Sequence, residues 1–134
     1  MKQILLILAV VALVGCGTTS WVSDPSDPNN VKIEKVLRSK LKKPAGELTK
    51  ADLEKVHTLF LNSLQLTDVK GLEKLTNLAR LNIGDNQLPD VKWVWKLTKL
   101  EAVSLGGNPD ITAAQIDELQ KALPKCKIGS NPTK

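Results

Sequence analysis

The chain has 134 residues, 42% of them hydrophobic and 25% charged, and a formal net charge of +5 at pH 7. That length suits one domain. Residues 31–43 hold Lys32, Lys35, Arg38, Lys40, Lys42 and Lys43 against Glu34, so the positive charge is one local cluster and not the broad basic stripe of a nucleic-acid binder.

In chain order, Lys2 precedes an apolar run of 11 residues from Ile4 to Val14. A bilayer needs about 20 such residues, so the run reads as the h-region of a secretory signal over residues 1–15. It ends Leu13-Val14-Gly15-Cys16, which resembles the lipobox of bacterial lipoproteins. The resemblance implies a diacylglycerol thioether on Cys16, cleavage before it and acylation of the new amino group, with an ordinary signal peptide as the alternative. Gly17 stands where Asp commonly retains lipoproteins in the inner membrane, which favours the outer membrane in a cell that has one. Loss of Lys2 with the signal takes the charge from +5 to +4, and the excess of five over residues 31–43 leaves −1 for the rest. With Cys16 lipidated, only Cys126 remains and no internal disulfide forms.

Residues 16–30 read as the lipidated cysteine and a flexible tether, rich in Thr, Ser, Asp, Pro and Asn. Its 14 residues after Cys16 give a reach of roughly 20 Å. Trp21 is expected either at the membrane–water interface or in solvent. Residues 31–56 read as a helical N-terminal cap. Ile33, Val36, Leu37 and Leu41 share a helix face after an Asn30 cap, with Pro44 and Gly46 ending it. Thr49-Lys50-Ala51-Asp52 then fits a capping box ahead of Leu53 and Val56.

Residues 57–111 carry a repeat. Leu59 and Leu61 recur 22 residues later as Leu81 and Ile83, and again as Val103 and Leu105. Leu66, Val69, Leu72, Leu75 and Leu78 align with Leu88, Val91, Val94, Leu97 and Leu100. A fixed period of this length and pattern is the signature of a leucine-rich repeat. The expected fold is α/β: a short leucine-rich-repeat solenoid, parallel strands on its concave face, a helical N-terminal cap and a C-terminal capping helix. Asn86 and Asn108 stand where an asparagine side chain bonds the backbone of neighbouring turns. The first repeat has Leu64 there, so the asparagine ladder is expected to begin at the second coil. Residues 112–128 read as the closing cap, with a Thr112–Gln115 capping box, a helix stopped by Pro124 and an edge strand at Cys126 to Ile128. Residues 129–134 read as a tail.

From Val31 to Ile128 the chain is similar to bacterial leucine-rich-repeat domains of the 22-residue, internalin-like type. The matching residues include Gly46-Glu47-Leu48-Thr49-Lys50-Ala51-Asp52-Leu53, the stretch from Thr67 to Leu75 and Ala114-Gln115-Ile116-Asp117-Glu118-Leu119. The resemblance implies ligand binding on the concave face. By position that face comprises Thr58, Phe60 and Asn62, then Arg80, Asn82 and Gly84, then Ala102, Ser104 and Gly106. Three strands make a face roughly 15 Å wide, too small for a standard protein interface of about 1,000 Å² or more. A peptide or glycan, or weak protein binding, suits it better.

Two further surfaces stand out. Trp93 and Trp95 occupy positions held by Gly71 and Glu73 one repeat earlier; they form either a second contact surface or loop packing. The cations from Lys32 to Lys43 either meet an anionic surface or are a solvated helix face. His57 is the sole histidine, and no nucleophile motif, metal-ligand spacing or phosphate loop accompanies it. The expected protein is therefore a monomeric, non-enzymatic envelope lipoprotein without cofactor beyond its covalent lipid, whose repeats bind a protein, peptide or glycan. The alternative is a structural or surface-coating lipoprotein that meets anionic lipid or cell wall through its cationic cap.

Overall fold

A computed structural model describes residues 20–130. The apolar run and Cys16 lie outside the described residues. In chain order the elements are α1 (Pro28–Leu41), α2 (Lys50–Glu54), β1 (Thr58–Phe60), a first 3-10 turn (Leu72–Lys74), β2 (Arg80–Asn82), a second 3-10 turn (Lys92–Lys96), β3 (Ala102–Ser104), α3 (Ala113–Ala122) and β4 (Lys127–Gly129). The four strands form one parallel sheet in sequence order. Residues 22 apart pair directly: Leu59 with Leu81, and Leu81 with Val103. The chain is thus an α/β leucine-rich-repeat solenoid.

The stacking has a plain cause. Each coil buries one strip of branched side chains that it cannot cover alone. Leu59, Leu61, Leu66, Leu72, Leu75 and Leu78 of the first coil are fully buried, as are Ile83, Val94 and Leu97 of the second. Ile33, Leu37, Leu48 and Leu53 close one end of this core; Leu119, Leu123 and Cys126 close the other. The turn after each strand needs a left-handed residue at the same place, met by Ser63, Asp85 and Gly107 with φ of 59°, 55° and 78°.

Asn86 and Asn108 are the buried polar side chains of this core. Asn86 Oδ1 accepts from the amides of Leu64 and Leu66 at 3.1 and 3.0 Å, so the ladder begins at the second coil and reaches back into the first. Among the described residues no buried side-chain polar atom lacks a partner.

The segment ahead of α1 differs from the expected tether. Trp21 is only 5% exposed. Its backbone amide donates to Leu48 O at 3.0 Å and its Nε1 donates to Glu34 Oε1 at 3.1 Å. Residues 20–27 therefore form a strap over the cap, and Trp21 sits in the core and not at a membrane interface. The composition there is polar, but one indole supplies enough apolar area to fasten it. Helix α1 starts earlier than Val31 for a related reason. Asp27 caps it, accepting from Asn29 N at 2.9 Å, with Pro28 at the first helical position. Aspartate followed by proline is a stronger start than Asn30. At the far end Gly129 belongs to β4 and not to a tail, since its carbonyl accepts from Leu105 N at 2.7 Å.

The Thr49–Asp52 capping box forms as its spacing predicts. Asp52 Oδ2 also accepts from Lys43 Nζ at 2.7 Å. The Lys43 ammonium, with the Thr49 amide, holds the Asp52 carboxyl at about 2 against an ordinary 3.8. A carboxyl lowered on folding stabilises the fold above its unfolded value, and that contribution fades as pH falls from about 3.8 towards about 2. Thermal melts across that window should lose about 1 kcal/mol, after solvent screening, that Asp52→Asn no longer has to lose. Parallel pH profiles for parent and variant would contradict the assignment.

Candidate functional site

Alternation along the strands points Leu59, Leu81 and Val103 into the core and their neighbours outward. The outward rows run Thr58, Arg80, Ala102 and Lys127, then Phe60, Asn82, Ser104 and Gly129. Lys127 and Gly129 add a fourth strand to this face, widening it to roughly 20 Å. Beyond them Asn62 is exposed beside Gly84 and Gly106. A Cβ on Gly84 would meet Gly106 O at 2.9 Å, so bare backbone floors that end of the face. Asn82 Oδ1 accepts from Gly84 N at 3.0 Å, which ties the asparagine to the turn. Arg80 and Phe60 are left as the prominent exposed side chains of β1 and β2, with Phe60 61% exposed.

Phe60 does not stand alone. It lines a groove of about 750 Å³ with Ser63, Leu64 and Gln65 of the first coil and Lys32, Lys35, Val36, Ser39 and Lys40 of α1. Phe60, Val36 and Leu64 make an apolar floor, the three lysines a cationic rim, and among the described residues no carboxylate lines it. Lys32 is held in place by donating Nζ to Leu64 O at 2.8 Å. Ser63 and Gln65 hold φ of 59° and 57°, a left-handed backbone costly for non-glycine residues. The aromatic member of the concave face and half of the cationic cluster, separate surfaces in the sequence, thus meet in one groove. Ser63, Leu64 and Gln65 carried no sequence signal for this, apart from the departure of Leu64 from the asparagine position.

The other cations are spent differently. Arg38 pairs with Glu34 at 2.8 Å and donates to Lys43 O and Gly46 O at 3.1 and 2.9 Å. Burial pushes the Glu34 carboxyl up, but hydrogen bonds from Ser23, Arg38 and Trp21 outweigh it and hold it below the usual range. Lys43 is paired with Asp52. Arg38 and Lys43 therefore fasten the cap and do not present free charge. Lys42 lines a second groove of about 710 Å³ with Pro25, Val31 and Pro44 on the outer side of α1.

Trp93 and Trp95 divide between their two readings. Trp93 is half-buried against the core, whereas Trp95 is 43% exposed. His57 is exposed, with Nδ1 3.2 Å from Asn77 O. Cys126 is buried, and burial pushes its thiol up. Among the described residues, no group of three or more His, Cys, Asp or Glu is placed to hold a metal.

No protein-family model and no curated protein matches the chain. Solved structures do. An internalin InlF from Listeria monocytogenes superposes with a TM-score of 0.61 at 24% identity over 80% of this chain and 34% of its own. An internalin C2 from the same organism gives 0.60 at 30% identity over 69% of this chain and 44% of its own. The chain thus spans about a third of the first of these two structures and under a half of the second.

Proposed function

We propose that the internalin-like leucine-rich-repeat domain of this chain is a non-catalytic binding module that takes an acidic protein segment into the groove between α1 and the first coil. One observation carries this reading: Phe60, 61% exposed, sits among Lys32, Lys35 and Lys40 with no acid in the lining. A large exposed aromatic is costly in water and is the residue type that dominates interface energetics. The lysine rim selects against basic and neutral partners through like-charge and desolvation costs. A face four strands wide suits a short segment with an apolar anchor flanked by carboxylates, with Arg80 and Lys127 extending the positive track.

The proposal includes a lipid anchor on Cys16, which localises the domain to the cell envelope, on the outer membrane where the cell has one. Mass spectrometry of the exported protein should find Cys16 diacylglyceryl-modified; a free thiol there would sink the anchor while leaving the groove untouched. For the groove, photo-crosslinking in native envelopes should capture a partner. Phe60→Ala with Arg80→Glu should weaken capture tenfold or more, an interface aromatic contributing about 2 kcal/mol or more. Lys35→Glu with Lys40→Glu should weaken it as much and remove its salt dependence. Undiminished capture by both variants would refute the site, and capture of glycan alone would replace the acidic segment with a sugar.

A further inference from the structure

The returning side of the second coil reads Lys92-Trp93-Val94-Trp95-Lys96. Val94 is fully buried, so the indoles flank it, and Trp95 stands 43% exposed. Over residues 89–100, Lys92, Lys96 and Lys99 face only Asp90, a net of +2. Tryptophan beside lysine is the pairing that headgroup regions favour.

Ser20, where the described residues begin, lies on the same side. Lys74, on the first 3-10 turn, donates Nζ to Ser20 O at 2.8 Å. Lys74 and Lys96 are 22 residues apart and so occupy matching places on adjacent coils, about 5 Å apart along the stack. Val22, 66% exposed, lines a pocket there in which Lys70 and Lys74 stand beside Asp24, Asp27 and Glu73, so the excess positive charge belongs to the second coil. Cys16 precedes Ser20 by four residues, and four residues span at most about 14 Å. The strap removes the slack that a free tether would have, because Trp21 is locked into the core.

The geometry points to a bilayer-facing surface: the Lys92–Lys96 turn, with Trp95 as its exposed indole, lies on the anionic headgroups of the membrane that holds the Cys16 acyl chains. This rests on the anchor proposed above. Each lysine near an anionic leaflet strengthens contact roughly fivefold, and a short anchor keeps the turn at high effective concentration beside the headgroups. The strands lie on the opposite side of each coil, so a domain seated this way turns the Phe60 groove away from the lipid and towards its partner.

Brominated acyl chains quench an indole only on close approach, which makes the test direct. The mature lipidated protein is placed in vesicles rich in phosphatidylglycerol, with and without bromine. About a third of the emission should be quenched, Trp95 being one of three tryptophans. Trp95→Phe should abolish most of that quenching, and Lys92→Glu with Lys96→Glu should reduce it severalfold, with circular dichroism confirming that both variants fold. Bromine quenching that is absent in the parent, or equal in parent and Trp95→Phe, overturns the proposal. Should mass spectrometry find Cys16 unmodified, the anchor reading fails on its own. A maleimide lipid coupled at Cys16 then puts the same quenching test to the turn, the buried Cys126 being shielded.

Discussion

Replacing Asn86 by alanine should lower the free energy of unfolding by about 3–5 kcal/mol, read by urea denaturation followed by circular dichroism. The side chain is 3% exposed and serves two coils at once. Its Oδ1 accepts from Leu64 N and Leu66 N, and its Nδ2 donates towards Leu61 O, Ile83 O and Gly84 O at 2.9–3.1 Å. Alanine leaves two amides without a partner inside a turn that no strand ladder rescues, each costing about 1–3 kcal/mol. Asn108→Ala should cost less, because among the described residues Asn108 Oδ1 accepts from Leu88 N alone, while its Nδ2 reaches Ile83 O and Leu105 O. A loss below about 1 kcal/mol at Asn86 would mean that water reaches these amides, against their burial.

Trp21→Ala should cost about 3–5 kcal/mol, the usual range for removing a buried large aromatic. The benzo edge of the indole packs against Gly71, where a Cβ would come within 2.8 Å of it and where φ is +102°. Gly71→Ala is therefore strained twice over, by backbone and by contact, and should destabilise the fold through the same interface. Trp21→Phe separates packing from polarity. It keeps most of the apolar area but loses the Nε1 bond to Glu34, and should cost about 1 kcal/mol. Were Trp21→Ala to melt with the parent, residues 20–27 would be a loose tether after all. The distance bound between Cys16 and the Lys92–Lys96 turn would then relax with it.

These two residues mark the limits of what was legible. Asn86 was readable because its role follows from position within a repeat: a residue 22 places from Asn108 inherits the same turn and the same orphan amides. Trp21 was misread because nothing local distinguishes it. Apart from Val22 its neighbours are Thr, Ser, Asp and Pro, and its partners Glu34, Leu48 and Gly71 lie 13, 27 and 50 residues away. The helix start differs for the opposite reason: Asp27-Pro28 is a local signal, and a stronger one than Asn30.

The groove shows the same division. Strand alternation makes Phe60 outward-facing, and the local composition marks out the lysines. Their meeting depends on how α1 lies across the first coil, which side-chain period does not encode. Likewise the six cations look equivalent in sequence, yet Arg38 and Lys43 are neutralised by Glu34 and Asp52 while Lys32, Lys35 and Lys40 rim the groove.

Taken by itself, the sequence determined the coil: its period, its parallel register, its inward and outward side chains and its asparagine ladder. A repeated apolar strip can be buried only by stacking on its like, so periodicity alone dictates the outcome. Tertiary structure decided what the ends of the stack do. It bound the Trp21 strap to the cap, joined Phe60 to the lysines and left Trp95 outside while Trp93 packed, because those contacts link segments that share no period and are chosen by which surfaces the finished coil leaves uncovered.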